Sequence, residues 1–204
     1  MTKIGLMGGS FNPIHNAHIM MGSTAYEEFK LDKILFIPNA HTYYKDDHTG
    51  ITDEQRLEMV RLAISPYPYM EIDDIELRMG GITYTINTIR ELKKLYKDSE
   101  FYFIIGGDSL YNLGTWKCID ELFKETIFLS VIRGETGIEE SMKLIEEYKK
   151  VYSYSDIRLL SMPSMDISSS AIRKMLSEGM KPEGLIPENV YDYIVSNNLY
   201  KAKV

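Results

Sequence analysis

"GGSFNPIHNAHIMMG", Gly8 to Gly22, is the stretch from which this 204-residue chain is best read. It follows the apolar run KIGLM (3–7). A short apolar run that stops at glycines suits a buried strand entering a turn. From His15 to Phe29 the apolar residues recur at helical spacing. The junction therefore reads as strand, glycine-rich turn, helix. Backbone N–H groups at a helix start have no intrahelical acceptor and carry partial positive charge. Glycine lets a ligand approach them closely. Such a junction favours an anion, phosphate above all. Two of the four histidines, His15 and His18, fall on the expected first turn and add donors for phosphate oxygens.

Other chemistries fit the stretch less well. No G-K-[ST] follows the glycines, as a Walker P-loop requires, and no G-x-G-x-x-G is present. His15 and His18 share a helix face, but zinc needs a third ligand. Neither Cys118 nor the remaining histidines, His41 and His48, supplies one at recognisable spacing.

Working outward, the same theme returns in FYFIIGGDS (101–109): a strand, two glycines, then an acid. KILFIP (33–38), TIFLSVIRG (126–134) and DIRLLSM (156–162) read as further buried strands. Helices are expected in 51–64, where Thr52 and Gln55 form a capping box, in 84–96, and over 135–150. Two more are expected in 168–180 and in 187–199, with Pro187 at the first helical position. Strands alternating with helices predict an α/β fold, a doubly wound parallel sheet. Ligands then bind beyond the carboxyl ends of the strands. The chain reads as a single domain over 1–204, with a C-terminal helical part at roughly 165–204. The loop from Asn39 to Gly50 is polar, rich in Tyr and His, and is expected to move.

Composition bounds the partners. Hydrophobic residues are 44% and charged residues 26%, ordinary values for a globular chain. A net charge of −7 argues against general affinity for nucleic acid or anionic membrane. No apolar run of about 18 residues is present, so no membrane span is expected. A single cysteine and an N-terminus unlike a signal peptide fit a cytoplasmic protein.

A second anion signal lies near the other end. In DISSSAIR (166–173) three serines open a helix, and Arg173 lies one turn on. A serine cap alone is common. Two such helix starts on one sheet suit a polyphosphate.

GGSFNPIHNAH together with ISSSAIR resembles the paired GGxFxPxHxxH and ISSTxIR motifs of the nicotinate-nucleotide adenylyltransferases. This family lies within the nucleotidyltransferase superfamily of Rossmann-like fold. The resemblance extends through IPN (37–39), RLEMVRLAI (56–64), GITYT (81–85), FIIGGDS (103–109), Trp116 and LIPENVYDYIVSNNLY (185–200). It implies ATP and nicotinate mononucleotide as substrates and deamido-NAD and pyrophosphate as products, by direct attack on the α-phosphorus. His15, His18 and Arg173 would be catalytic. Gly8, Gly9, Ser10, Phe11, Ser168 and Ser169 would bind ATP and its phosphates, with Asp108 a contact for ribose or metal. Lys45, Tyr84, Thr85 and Trp116 would hold the mononucleotide, Trp116 stacking on the pyridine ring. Donors for its carboxylate would come from Thr85 and from backbone N–H groups beside Trp116. Mg2+ would be bound through substrate phosphates and water, with no protein ligand set. Monomer and homo-oligomer both stay open.

Three places in the chain depart from the family pattern. TYYK (42–45) stands where PPHK is usual, so Tyr44 replaces a histidine. Asn12 stands where Asp is usual. Lys117 follows Trp116 where an aromatic is commoner, and adds positive potential if it turns inward. Two rivals remain at this point: a sister transferase with another acceptor, such as nicotinamide mononucleotide or phosphopantetheine, and a nucleotide-binding regulator without turnover.

Overall fold

The computed structural model describes residues 1–40, 50–132, 136–163 and 165–201. Lys45 and Tyr44 lie outside the described residues, as does most of the loop between Asn39 and Gly50.

Six strands form one sheet: β1 Thr2–Gly9, β2 Lys33–Pro38, β3 Met70–Ile72, β4 Ser99–Ile105, β5 Ile127–Val131 and β6 Ile157–Leu160. Their order is β3-β2-β1-β4-β5-β6 and every neighbouring pair is parallel. The expected doubly wound, Rossmann-like sheet is therefore present. The order reverses between β1 and β4, and in such sheets the crevice lies at that reversal. Both of these strands end in glycines, at Gly8–Gly9 and Gly106–Gly107.

Nine helices are present among the described residues. They are α1 Asn16–Phe29, α2 Asp53–Ile64, α3 Ile75–Met79, α4 Thr85–Leu95, α5 Gly107–Asn112, α6 Ile119–Glu125, α7 Thr136–Val151, α8 Ser169–Ser177 and α9 Glu188–Ser196. A short 3-10 turn, Leu113–Thr115, leads into Trp116. The three-residue β3 and the helices α3, α5 and α6 are additions to the elements expected above. His15 and Pro187 each stand one residue earlier than expected. Both have extended backbone and cap their helices from outside.

Alternation along each strand divides the core in two. Ile34 and Phe36 of β2 pack with α1, α2, α8 and α9, through residues such as Ile19, Met59, Ile172 and Ile194. Leu35 and Ile37 face the other way and pack with α4 and α6, through Ile89, Leu92, Leu122 and Phe123. Covered on both faces, the strands have no polar side, hence the continuous apolar runs in the sequence. The C-terminal helices are part of the first layer. Asn189 donates to the Leu62 carbonyl at the end of α2 at 2.7 Å, and the Tyr200 hydroxyl donates to Asn12 Oδ1 at 2.5 Å. No described helix is long and apolar enough to cross a membrane.

Gly5 shows how tightly the central strand is covered. A Cβ there would lie 2.4 Å from Ile34 Cδ1 and 2.9 Å from Leu31 Cδ1. A valine would add two more methyl groups to that space. Gly5→Val is expected to lower unfolding free energy by about 1–3 kcal/mol, the usual cost of overpacking. Urea denaturation of the two proteins checks this, and an unchanged midpoint would contradict it.

Candidate active site

One large crevice opens over the β1–β4 reversal, with a volume of about 1450 Å³. Ligand pockets commonly span roughly 300–1,000 Å³, so this crevice is larger than one drug-sized ligand requires. Its walls bring together Gly8, Gly9, Ser10, Phe11, His15, His18, Tyr84, Thr85, Trp116, Ser168, Ser169 and Arg173. Of the candidate residues that are described, only Asp108 stays out of the lining. It is exposed on the first turn of α5, while Gly106, Gly107 and Ser109 of the same segment face the crevice.

The turn after β1 is shaped by its own side chains. Phe11 is fully buried, with φ at 45°, the left-handed region that costs a non-glycine residue. Its ring takes the space beside Gly9, where a Cβ would come within 3.1 Å of it. The same ring meets His18 edge-on at 5.1 Å. Packing against Gly9, Phe36 and His18 holds the strained residue in place.

Donors from distant segments hold the turn's carbonyls. The Arg56 guanidinium donates from Nη1 to the Ser10 carbonyl and from Nη2 to the Asn39 carbonyl, each at 2.7 Å. Asp53 pairs with it at 2.5 Å, and Arg56 is only 5% exposed. From the other side Ser169 Oγ donates to the Pro13 carbonyl at 2.9 Å, and Arg173 Nη1 to the Asn12 carbonyl at 2.7 Å. The serine motif thus braces the glycine motif directly. Ser168 caps α8 by accepting from the Ala171 N–H. The Asn12 amide is buried, with its Oδ1 bound by Tyr200.

The two histidines stack, ring centroids 3.6 Å apart. His18 Nδ1 accepts from the His15 backbone N–H at 3.3 Å. In a neutral imidazole the proton then sits on Nε2 and makes it a donor. His15 Nδ1 is buried and meets no partner among the described residues. Burial pushes the His15 pKa down to about 4. His18 is held well below the usual histidine value, by burial first and by the charge His15 would carry second. Both are neutral near pH 7.

Another part of the crevice lining is aromatic. Trp116 is half-buried and edge-on to Phe103 at 5.8 Å and to Phe128 at 6.1 Å, so its plane is fixed. Its backbone N–H is taken by the Leu113 carbonyl at 3.0 Å, so this group is already engaged. Opposite stands the start of α4. Tyr84 caps it by position without a side-chain bond, and no acid lies in its first turn. Buried Glu76 steadies this wall, accepting from Thr83 at 2.6 Å and Thr88 at 2.7 Å. Among the described residues no group of three or more His, Cys, Asp or Glu could hold a metal ion.

Arg56 and Glu76 were not singled out from the sequence. Arg56 looked like one charge on an amphipathic helix, and Glu76 fell in a segment without clear periodicity. The one available signal for Arg56 was its place between the capping box and the apolar face of the helix.

Residues 6–175 match the cytidylyltransferase-like family model. The probable nicotinate-nucleotide adenylyltransferase of Lachnoclostridium phytofermentans is 37% identical over 200 residues, covering 98% of this chain and 100% of its own length. The probable nicotinate-nucleotide adenylyltransferase of Carboxydothermus hydrogenoformans is 38% identical over 200 residues, covering 98% of both chains. The fold is shared with the Plasmodium falciparum nicotinic acid mononucleotide adenylyltransferase solved with NaAD, at a TM-score of 0.79 and 24% identity over 98% of each chain.

The histidine pair makes stability depend on pH. A histidine with a lowered folded pKa binds its proton more readily in the unfolded chain. Stability is therefore full above the unfolded value of 6.5 and falls as pH drops from there toward 4. Going from about pH 7 to about pH 5 is expected to cost the ligand-free protein about 1–2 kcal/mol through His15. Thermal melts of wild type and His15→Gln across that range check it. The variant should show the smaller slope, and identical slopes would contradict the assignment.

Proposed function

The chain belongs to the nicotinate-nucleotide adenylyltransferases of the cytidylyltransferase-like family, and from that membership we propose that it transfers the adenylyl group of ATP to nicotinate mononucleotide. The products are deamido-NAD and pyrophosphate. The observation that carries this reading is the bonding of the Ser169–Arg173 segment to the turn that bears His15 and His18. Two anion-attracting helix starts thereby line the same crevice as Trp116.

The chemistry asks mainly for position and charge. The attacking group is a phosphate oxygen of the mononucleotide, anionic near pH 7, so no general base is required. It forms a bond to the α-phosphorus, the α–β bridge breaks, and pyrophosphate leaves with the electron pair. Catalysis then rests on donors aimed where negative charge develops. His18 Nε2 serves the α-phosphate and His15 the neighbouring phosphates. Gly8, Gly9, Ser10 and Phe11 bring backbone against the nucleotide. Ser168, Ser169 and the start of α8 receive the terminal phosphates, with Arg173 supplying charge from its remaining N–H groups. Asp108 serves the ribose from the rim; the role of Lys45 at the substrate phosphates rests on the resemblance alone, since it lies outside the described residues. Trp116 offers a ring face, with Tyr84 and Thr85 opposite.

Magnesium fits this donor set in one mode only. The two carboxylates in the crevice lining, Asp53 and Glu76, are engaged by Arg56 and by Thr83 and Thr88. A magnesium ion would be held by phosphate oxygens and water, as this ion prefers with nucleotides, and would neutralise phosphate charge there. The reading takes residues 1–204 as one domain, because the C-terminal helical part docks on α2 and on Asn12. It places the enzyme in the cytoplasm.

Incubation with ATP, magnesium and each mononucleotide in turn, with product identification, tests the reading. Deamido-NAD and pyrophosphate are expected. An amide in place of the carboxylate would leave a donor unpaired, at about 1–3 kcal/mol. Nicotinate mononucleotide should therefore be preferred at least about tenfold in kcat/KM. Equal use of nicotinamide mononucleotide or of phosphopantetheine would favour the sister-transferase reading. ATP binding without pyrophosphate release would favour the regulator.

His18→Ala should fold normally and lose roughly a hundredfold or more in kcat, the size expected for one preorganised transition-state donor. Near wild-type kcat would remove His18 from the mechanism.

A further inference from the structure

The acceptor end of the crevice carries a side chain that the proposed function has not used. Lys117 follows Trp116, and its Nζ sits over the Tyr84 ring, 4.0 Å from the centroid. Tyr84 caps α4, whose first turn holds no acid, and both residues line the same crevice as Trp116 and Thr85. Among the described residues Lys117 pairs with no carboxylate, and it is the only ammonium in the lining. The crevice's other described cations serve elsewhere: Arg56 is bound to Asp53 and two carbonyls, and Arg173, bound to the Asn12 carbonyl, is assigned to the terminal phosphates. The N–H of Trp116 is committed as well, to Leu113.

We propose that Lys117 selects the acid form of the mononucleotide, leaving the Tyr84 ring to pair with the pyridine carboxylate of the molecule stacked on Trp116. This rests on the reading of the crevice given above and deepens it. A ring face holds an exposed ammonium only weakly, so the contact is exchangeable. A carboxylate offers full charge and two acceptor oxygens. An amide offers no net charge and only one acceptor oxygen, so it gains less from the exchange. The α4 start adds a second, fixed positive end on the same wall. Tyr84 keeps the ammonium at the crevice mouth and away from surface carboxylates before substrate arrives.

Trp116 is the only tryptophan, so its fluorescence reports on this end of the crevice without turnover. Dissociation constants for nicotinate and nicotinamide mononucleotide, read from that signal, are combined with kcat/KM for both on wild type, Lys117→Met and Lys117→Arg. In Lys117→Met the acid-over-amide ratio should fall about tenfold, mostly through Kd and KM, while KM for ATP is unmoved. Lys117→Arg should restore most of the ratio. An unchanged ratio in Lys117→Met, or equal losses on both mononucleotides, overturns the proposal while leaving adenylyl transfer standing. A wild type that neither binds nor turns over either mononucleotide overturns the functional reading, and this proposal with it.

Discussion

The carbonyl groups of the Ser10–Pro13 turn set the terms for the rest of the structure. A tight, largely buried turn cannot pair its own backbone, and a buried carbonyl left without a donor costs free energy comparable to a lost hydrogen bond. Here the Ser10, Asn12 and Pro13 carbonyls receive donors from Arg56, Arg173 and Ser169, which lie 46, 161 and 156 residues away in sequence. The negative ends of those peptides are thereby bound by protein donors. What remains for a ligand is positive: the α1 start, its two histidines and the glycine backbone. Because the donors sit on α2 and α8, both helices must dock before the turn is fixed. The same requirement explains why a phosphate site built at the first strand needs the C-terminal part of the chain.

Much of this architecture was legible in the sequence because it is periodic or punctuated. β1, β2, β4, β5 and β6 are apolar runs that stop at glycine, proline or polar residues, since both faces of the sheet are covered. The α2 start was legible because Thr52 and Gln55 satisfy each other's backbone, as the structure shows. β3, with three residues, and α3, with five, are too short to show a period. α5 begins at a glycine and runs on into a 3-10 turn, so helical spacing never develops. The candidate site was legible in its residues but not in its bonds. The motif marks Ser169 and Arg173 as candidate phosphate ligands, and nothing local reveals that they also hold the Pro13 and Asn12 carbonyls. Arg56 was missed for the same reason, because its partners come from two other loops. The position of Trp116 in the crevice was legible, while the engagement of its N–H by Leu113 depends on the 3-10 turn.

The electrostatics of the crevice follow from neutral donors more than from net charge. The chain carries −7 overall, and among the described residues the lining holds three cations against two carboxylates: Arg56, Lys117 and Arg173 against Asp53 and Glu76. Arg56 is already neutralised. Helix starts and imidazoles that burial keeps uncharged supply much of the remaining attraction. Uncharged N–H donors bind a polyphosphate less tightly than the same number of ammonium groups would. Their advantage is directional. Fixed by stacking and by the His15 N–H, His18 in its proposed role would gain most when charge builds at one particular oxygen, the difference between transition state and ground state on which catalysis rests.

The two ends of the crevice are therefore built from different material. The phosphate end consists of backbone, caps and carbonyl braces, features tied to the sheet reversal and to the docking of α8. Changing it would mean changing the fold. The acceptor end consists of side chains on short elements: Tyr84 and Thr85 at the start of α4, Trp116 and Lys117 after a 3-10 turn, with Glu76 behind them. Substituting those side chains leaves the sheet and the phosphate braces untouched. Adenylyl chemistry is thus a property of the architecture. In the proposed assignment the choice of acceptor is a property of a few residues placed on it, and in this way one fold can serve enzymes that differ only in the molecule they join to the nucleotide.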